Sequence, residues 1–355
     1  MALDLFAGMG WGLGAKELGI EESGVEKMPE AVATRDALSL KTVHDDVWTY
    51  DYASAAEEGE IASPPCQTFS QAGKGAGRKA LCDVLKAIED RRFLSIDSLR
   101  ALAEEVGDER TALVLVPLHA AYAMHPEWVV LEQVPTVQPV WDACAEEMRG
   151  WGYKVWTGKL HAEQYGVPQT RTRSVLIASR VKEVGPPRPT HSLYHSRDKE
   201  RLDPGVAKWM SMAEGVGWGL TERPSPTVTG GGTETGGAEP IAHLARYSEL
   251  PEWAFVRPST TIVGSFKPEI VAAPGYRTTV SRQNAPDSVR VSVAEAGLLQ
   301  SFPADVPWQG AKGKQFLQVG NAVPPGLAIP VLGEATGLPW EDASKAYLDR
   351  IYEMV

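Results

Sequence analysis

Short apolar runs alternate with helix-patterned stretches through the first half of the chain, and this alternation narrows the possible folds more than any other feature. "MALDLFAGMGWGLGAKELGI" is an apolar run, a glycine-rich turn and a helix pattern through Ala15 and Leu18. "VEKM" ends a second strand-like piece, "TVHDDVW" is a third, and "EIASPPC" brings a fourth up to a cysteine. "WVVLEQV" and "RTRSVLIASR" are further strands. Between them lie amphipathic helical sequence from Arg78 to Val106 and a helix over "TALVLVPLHAAYAMH". Strands alternating with helices predict an α/β fold with a doubly wound, mostly parallel sheet. Ligands of such sheets sit at the carboxyl ends of the strands. Gly8 to Gly14, Glu26, Asp46, Cys66 and Glu132 all fall at those ends.

Composition changes after Gly185. "GPPRPTHS" reads as a linker, and residues 186–288 are rich in Pro, Gly, Thr and Arg with few helical patterns. One eight-residue pattern occurs twice there, as "RPSPTVTG" and "RPSTTIVG", each a turn followed by a short strand. From Val289 helical patterning returns, and "FLQVGNAVPPGLAIPVLGEA" has the apolar density of a segment docking back onto the first lobe. The expected organisation of the 355 residues is a first lobe over 1–185, a smaller, irregular, β-rich lobe over 186–288, and a returning segment over 289–355.

No stretch approaches the roughly 18 apolar residues of a membrane span, so no membrane partner is expected. Cys66, Cys82 and Cys144 are odd in number and lack metal-type spacing. That predicts no metal site and a reducing cytoplasm in which Cys66 stays a free thiol. A net charge of −11 argues against a polyanionic partner until its distribution is read. Residues 1–60 carry a balance of −9, and residues 154–201 one of +6. An acidic front and a basic middle suit a cation bound in one region and a polyanion in another.

Cys66 follows Pro64 and Pro65, which remove two backbone donors and fix two φ angles, so the thiol is presented on a rigid turn rather than packed. The glycine turn lets a cofactor approach the backbone closely, although Gly10, Gly12 and Ala15 fit a dinucleotide fingerprint only loosely. Glu26 is placed to accept hydrogen bonds from ribose hydroxyls and Asp46 from an adenine amine. Glu132, at the end of an apolar strand, is partly desolvated, which raises its pKa toward the range useful for proton donation. Arg171 and Arg173, two apart on a strand, point to one face.

In this order the motifs resemble those of the DNA (cytosine-5) methyltransferases. "DLFAGMG" is similar to the family's cofactor turn, "SPPCQTFSQAG" to its nucleophile loop, and "EQV" to its Glu-Asn-Val. "YGVPQTRTR" is similar to its Gln-x-Arg-x-Arg strand, and "RVSVAEAGLLQSFP" and "QVGNAVPPGLA" to its last two motifs. The resemblance covers residues 3–185 and 289–330, and implies an S-adenosylmethionine-dependent methyltransferase fold with a target-recognition domain between the two. It implies methyl transfer to carbon 5 of a cytosine flipped out of double-stranded DNA, by a cytoplasmic, monomeric, bacterial or viral-encoded enzyme of the restriction-modification kind.

Residue by residue, the resemblance makes Cys66 the nucleophile at carbon 6, Glu132 the partner of ring nitrogen 3, Arg173 the contact to the base oxygen, and Arg171 its support. It gives the methyl donor Phe6, Ala7, Gly8, Gly10, Gly12, Glu26, Asp46, Pro65, Asn321 and Val323. DNA contacts are expected from Gln67, Ser70 and the twin-turn arginines Arg223 and Arg257.

Three positions depart from the family's pattern. Trp11 stands where glycine is usual, Lys27 where an aromatic often stacks on adenine, and Gln133 where asparagine follows the glutamate. The chain is also longer than usual between Ser70 and Arg110. A tRNA methyltransferase shares most of these motifs, but its Cys-Phe-Thr tripeptide is missing here. A dinucleotide-dependent oxidoreductase leaves Cys66, the arginines and "GNAVPP" without a role.

Overall fold

The computed structural model describes residues 1–65, 75–198, 200–217, 250–264, 267–274 and 288–353. Cys66, Gln67, Ser70 and Arg223 lie outside the described residues, as do 218–249 and 275–287 of the 186–288 segment.

Seven strands form one sheet: β1 (Ala2–Leu5), β2 (Glu22–Val25), β3 (Lys41–His44), β4 (Gly59–Ala62), β5 (Trp128–Gln133), β6 (Lys154–His161) and β7 (Thr172–Ser179). Their order is β3-β2-β1-β4-β5-β7-β6, parallel except for β7, which runs antiparallel to both β5 and β6. The strand order reverses between β1 and β4, so the crevice above their carboxyl ends is the expected ligand position.

Side chains alternate between the two faces as strand geometry requires. Leu3, Leu5, Val129 and Leu131 enter one core with helices α3 (Gly75–Glu89), α4 (Ile96–Val106), α5 (Glu109–Leu113), α6 (Val116–Met124) and α7 (Gln138–Gly150). Ala2, Ile61, Trp128 and Val130 face a second core shared with α1 (Gly10–Glu17) and the Pro325–Thr336 helix. That late helix is buried along nearly its whole length, so the chain's end does dock onto its beginning. A smaller cluster, including Met212, Ala254, Ile262, Val271, Phe302 and Phe316, lies under the later part of the chain beside the two-strand pair β8 (Ile270–Val271) and β9 (Val289–Arg290).

The structure corrects four sequence readings. The strand β6 was not expected: it is the sheet's edge, mostly half-exposed, with lysines and Gly158 interrupting any apolar run. "TALVLVPLHAAYAMH" is two helices rather than one, with Pro117 in the first turn of the second. The helical stretch before it is also divided, at Arg91, which adopts a left-handed φ of 52°. Finally, residues Lys312–Thr336 are long and apolar enough to cross a membrane by composition, but 89% of that window is buried inside the protein, as core helices are.

Candidate active site

The turn after β1 is not made by the glycines expected to make it. It runs from Phe6, at a left-handed φ of 61°, to Met9, and Gly10, Gly12 and Gly14 already belong to α1. Their role is close packing. A Cβ on Gly10 would fall 1.8 Å from the Val323 carbonyl oxygen, and one on Gly14 would fall 2.8 Å from the Ala328 Cβ. Gly10 therefore admits the Asn321–Val323 segment to the same rim as the turn.

Above the carboxyl ends of the strands opens a cavity of about 410 Å³. The β1 turn gives it Phe6, Gly8 and Gly10, β2 and β3 give Glu26 and Asp46, and the end of β4 gives Pro65. Glu132, Arg171, Arg173, Asn321 and Val323 close the other side. The structure thus brings most of the expected residues to one place. Among the described ones Ala7, Gly12 and Arg257 are the exceptions. Ala7 is buried and donates its N–H to the Val25 carbonyl, and Gly12 faces Leu40 and Glu22, so neither lines the cavity.

The acids that follow β2 and β3 are held in place. Glu26 accepts the Met28 N–H at 2.7 Å, and burial pushes its carboxyl above the usual range. Asp46 accepts the Trp48 N–H at 3.0 Å and pairs with Lys27 at 3.5 Å. Lys27 is thus an ion-pair partner at the rim where the family pattern suggested an aromatic. Trp48 donates its indole N–H to Glu109 at 2.5 Å. Trp48, Glu109 and Leu113 all line the cavity, and sequence reasoning missed them. Trp48 stood two residues past a predicted acid and could have been found. Glu109 and Leu113 lie beyond the long stretch after Ser70, and no local signal marks them.

On the opposite side, Glu132 is buried and ion-paired to Arg173, Nε to Oε1, at 2.9 Å. A guanidinium therefore meets the carboxylate, which burial alone did not foretell. The antiparallel direction of β7 makes this possible, since its first residues lie beside the last residues of β5. Arg171, just before β7, is fully enclosed and donates to the Gly320 and Ala322 carbonyls at 3.2 and 3.0 Å. It ties the late segment to this wall.

Two of the departures have structural explanations. The Gln133 side-chain amide donates to the Pro64 carbonyl and accepts the Val134 N–H, so it ties β5 to the prolines leading into Cys66. Trp11 donates its indole N–H to Ser63 Oγ at 2.8 Å, which braces α1 against the same segment. Arg257 is not displayed as a base-reading arginine would be. It is half-buried, with its guanidinium 4.8 Å from the Tyr194 ring centroid and its Nε donating to the Pro258 carbonyl. Among the described residues no cluster of His, Cys, Asp and Glu could hold a metal ion.

Residues 1–335 match the family model described as C-5 cytosine-specific DNA methylase. The Type II methyltransferase M1.HphI of Haemophilus parahaemolyticus is 26% identical over 362 residues, covering 92% of this chain and 84% of its own. M.SacI of Streptomyces achromogenes, also a Type II methyltransferase, is 27% identical over 320 residues, covering 80% and 75%. Among solved structures, the Dnmt2 methyltransferase of S. pombe shares the fold at a TM-score of 0.57 and 13% identity, covering 95% of this chain and 98% of its own. A putative DNA modification methyltransferase encoded within an E. coli prophage does so at 0.54 and 18%, covering 95% and 98%. The chain belongs to the C-5 cytosine-specific DNA methylase family.

Proposed function

We propose that this enzyme transfers a methyl group from S-adenosylmethionine to carbon 5 of a cytosine flipped out of double-stranded DNA, through an adduct between Cys66 and carbon 6 of the base. The observation that carries this reading is the Glu132–Arg173 pair, lining one cavity with the prolines that lead into Cys66 and with the acids Glu26 and Asp46. The cavity suits the methyl donor. A Cβ on Gly8 would meet no atom within 4 Å, so the turn leaves space open. Phe6, Val47 and Leu113 offer apolar surface, and Glu26 and Asp46 offer acceptors for ribose hydroxyls and an adenine amine. Bound there, the sulfonium supplies an electrophilic methyl group.

The remaining chemistry falls to the chain's own groups. Carbon 5 of cytosine is too weakly nucleophilic to take a methyl group directly. The Cys66 thiolate adds to carbon 6, forming the C–S bond and moving the π electrons of the 5,6 double bond toward carbon 5. Glu132 holds a proton at ring nitrogen 3, while Arg173 contacts the base oxygen and Arg171 fixes the wall behind them. After methylation, the carbon 5 proton leaves to a base. The electron pair of its bond re-forms the 5,6 double bond and expels the thiolate. Flipping the base costs a few kcal/mol, met by contacts of the DNA with residues such as Gln67 and Ser70.

The same reading takes 1–185 as the catalytic and cofactor-binding domain, 186–288 as the target-recognition domain, and 289–355 as the segment completing the first. It assigns a cytoplasmic monomer working in a restriction-modification setting, in line with the Type II relatives. The test is covalent capture on DNA synthesised with 5-fluorocytosine, whose carbon 5 has no proton to lose. With S-adenosylmethionine present, wild type should form a denaturation-resistant adduct and Cys66→Ala should form none. An alanine variant that still turns over would contradict the assignment.

A further inference from the structure

Beneath the β1 turn lies a charged cluster to which the reaction assigns nothing. Arg35, on α2 (Pro29–Ala37), is wholly buried, although arginine is rarely found so unless paired. Its guanidinium reaches three elements at once. Nη2 pairs with Glu22 of β2 at 2.8 Å and donates to the Lys41 carbonyl at 2.6 Å, and Nε donates to Thr42 Oγ1 of β3 at 3.0 Å. Nη1 donates to the carbonyl of Gly8 at 2.6 Å, and Gly8 lines the cavity. Asp4, also buried, completes the group beside Glu22.

The fold makes room for this side chain at one position. A Cβ on Gly24 would lie 2.3 Å from Arg35 Nη2 and 2.5 Å from Cζ, so only glycine in β2 lets the guanidinium pass under the turn. The turn needs such support. Phe6 holds a left-handed φ, a conformation unfavourable for a residue with a Cβ, and it persists only where its surroundings determine it. Two contacts fix the two residues after it: the Ala7 N–H on the Val25 carbonyl, and the Gly8 carbonyl on Arg35. With that carbonyl drawn into the protein, the open face of Gly8 is left to the cavity. The Glu22 carboxylate balances the guanidinium, so a cation stands below a site read as binding another cation without an uncompensated charge.

We infer that Arg35 is a positioning residue for the methyl donor: through the Gly8 carbonyl it fixes the floor of the donor cavity, and Gly24 is the opening that admits it. The inference rests on the proposed use of S-adenosylmethionine and goes beyond it by naming a residue that touches neither donor nor base.

The test is calorimetric binding of S-adenosylhomocysteine to the full chain, with separate KM and kcat values for methyl donor and DNA. Arg35→Lys keeps the charge, but a single ammonium cannot serve the turn, β2 and β3 together. Its dissociation constant should rise about tenfold or more, the loss expected for one charge-assisted hydrogen bond. KM for the donor should rise in parallel, while kcat at saturating donor and affinity for DNA stay near wild type. Gly24→Ala, which leaves Arg35 in the chain but obstructs it, should shift donor binding the same way, and it decides the matter should the lysine variant not fold. Ile351→Ala, a buried change outside the cavity lining, is the control for lost stability and should leave donor affinity unmoved. Folded Arg35→Lys and Gly24→Ala proteins that bind S-adenosylhomocysteine like wild type would overturn the inference. Wild type that does not bind it at all would instead overturn the cofactor reading, and this inference with it.

Discussion

At the scale of single residues, the site is a set of ties between strand ends. Glu132 is fixed by its ion pair with Arg173 at 2.9 Å, and Arg173 is there because β7 begins where β5 finishes. Replacing Glu132 with Gln keeps its shape while removing charge and proton. Turnover should fall at least ~10²-fold, the low end of acid–base contributions, with binding of S-adenosylhomocysteine retained; unchanged turnover would refute the role. A second carboxyl has a consequence for stability. Glu163, buried between β6 and β7, has its pKa pushed up to about 7 by burial, partly offset by its own and the Arg171 backbone amides and by Arg257. Between its ordinary 4.5 and 7 the folded protein holds a proton that the unfolded chain releases. Stability therefore falls as pH rises through that window, by up to ~1.4 kcal/mol per unit, and levels off above it. Glu163→Gln lacks this loss, so its stability relative to wild type in urea titrations should grow by up to about 3 kcal/mol from pH 4.5 to 7.5. Parallel pH profiles for the two proteins would show that the carboxyl does not titrate in that window.

At the scale of elements, legibility depended on how far each signal lies from its partners. The strands ending at Glu26 and Glu132 were readable because buried parallel strands are short apolar runs whose polar ends mark the ligand side. The edge strand β6 was not, because an edge half in solvent keeps its lysines and loses the apolar signature. The glycine turn was located from the sequence, but the close packing of Gly10 and Gly14 was not read there. What they face, the Val323 carbonyl and Ala328, lies more than three hundred residues along the chain, beyond the reach of any local pattern. Gln133 and Trp11 read as departures for the same reason, since their partners Pro64 and Ser63 belong to another strand's end. The division of labour between Gly8 and Gly10 is testable. Gly10→Ala would drive a Cβ into a backbone oxygen and should destabilise the fold by ~1–3 kcal/mol, as overpacking does. Gly8→Ala meets open space, so it should leave the melting temperature unchanged and weaken S-adenosylhomocysteine binding. The opposite pattern would mean the two glycines have exchanged roles.

For the whole molecule, the chain's two ends build one site. Residues from β1 to β7 supply most of the cavity, and the end of the Lys312–Asn321 helix returns with Ala322 and Val323 to close it, held by Arg171 through the Gly320 and Ala322 carbonyls. The acidic front fits the same division: Glu26 and Asp46 face the cavity, while Arg35 neutralises Glu22 behind it. The central claim is that this assembly methylates carbon 5 of cytosine in DNA. It is tested most directly by incubating the purified protein with methyl-labelled S-adenosylmethionine and either double-stranded DNA or RNA, digesting the nucleic acid to nucleosides and identifying the labelled one by mass spectrometry. The account predicts label in 5-methyldeoxycytidine alone, abolished by Cys66→Ala; label on an exocyclic amine, in RNA but not DNA, or in no nucleoside would contradict it.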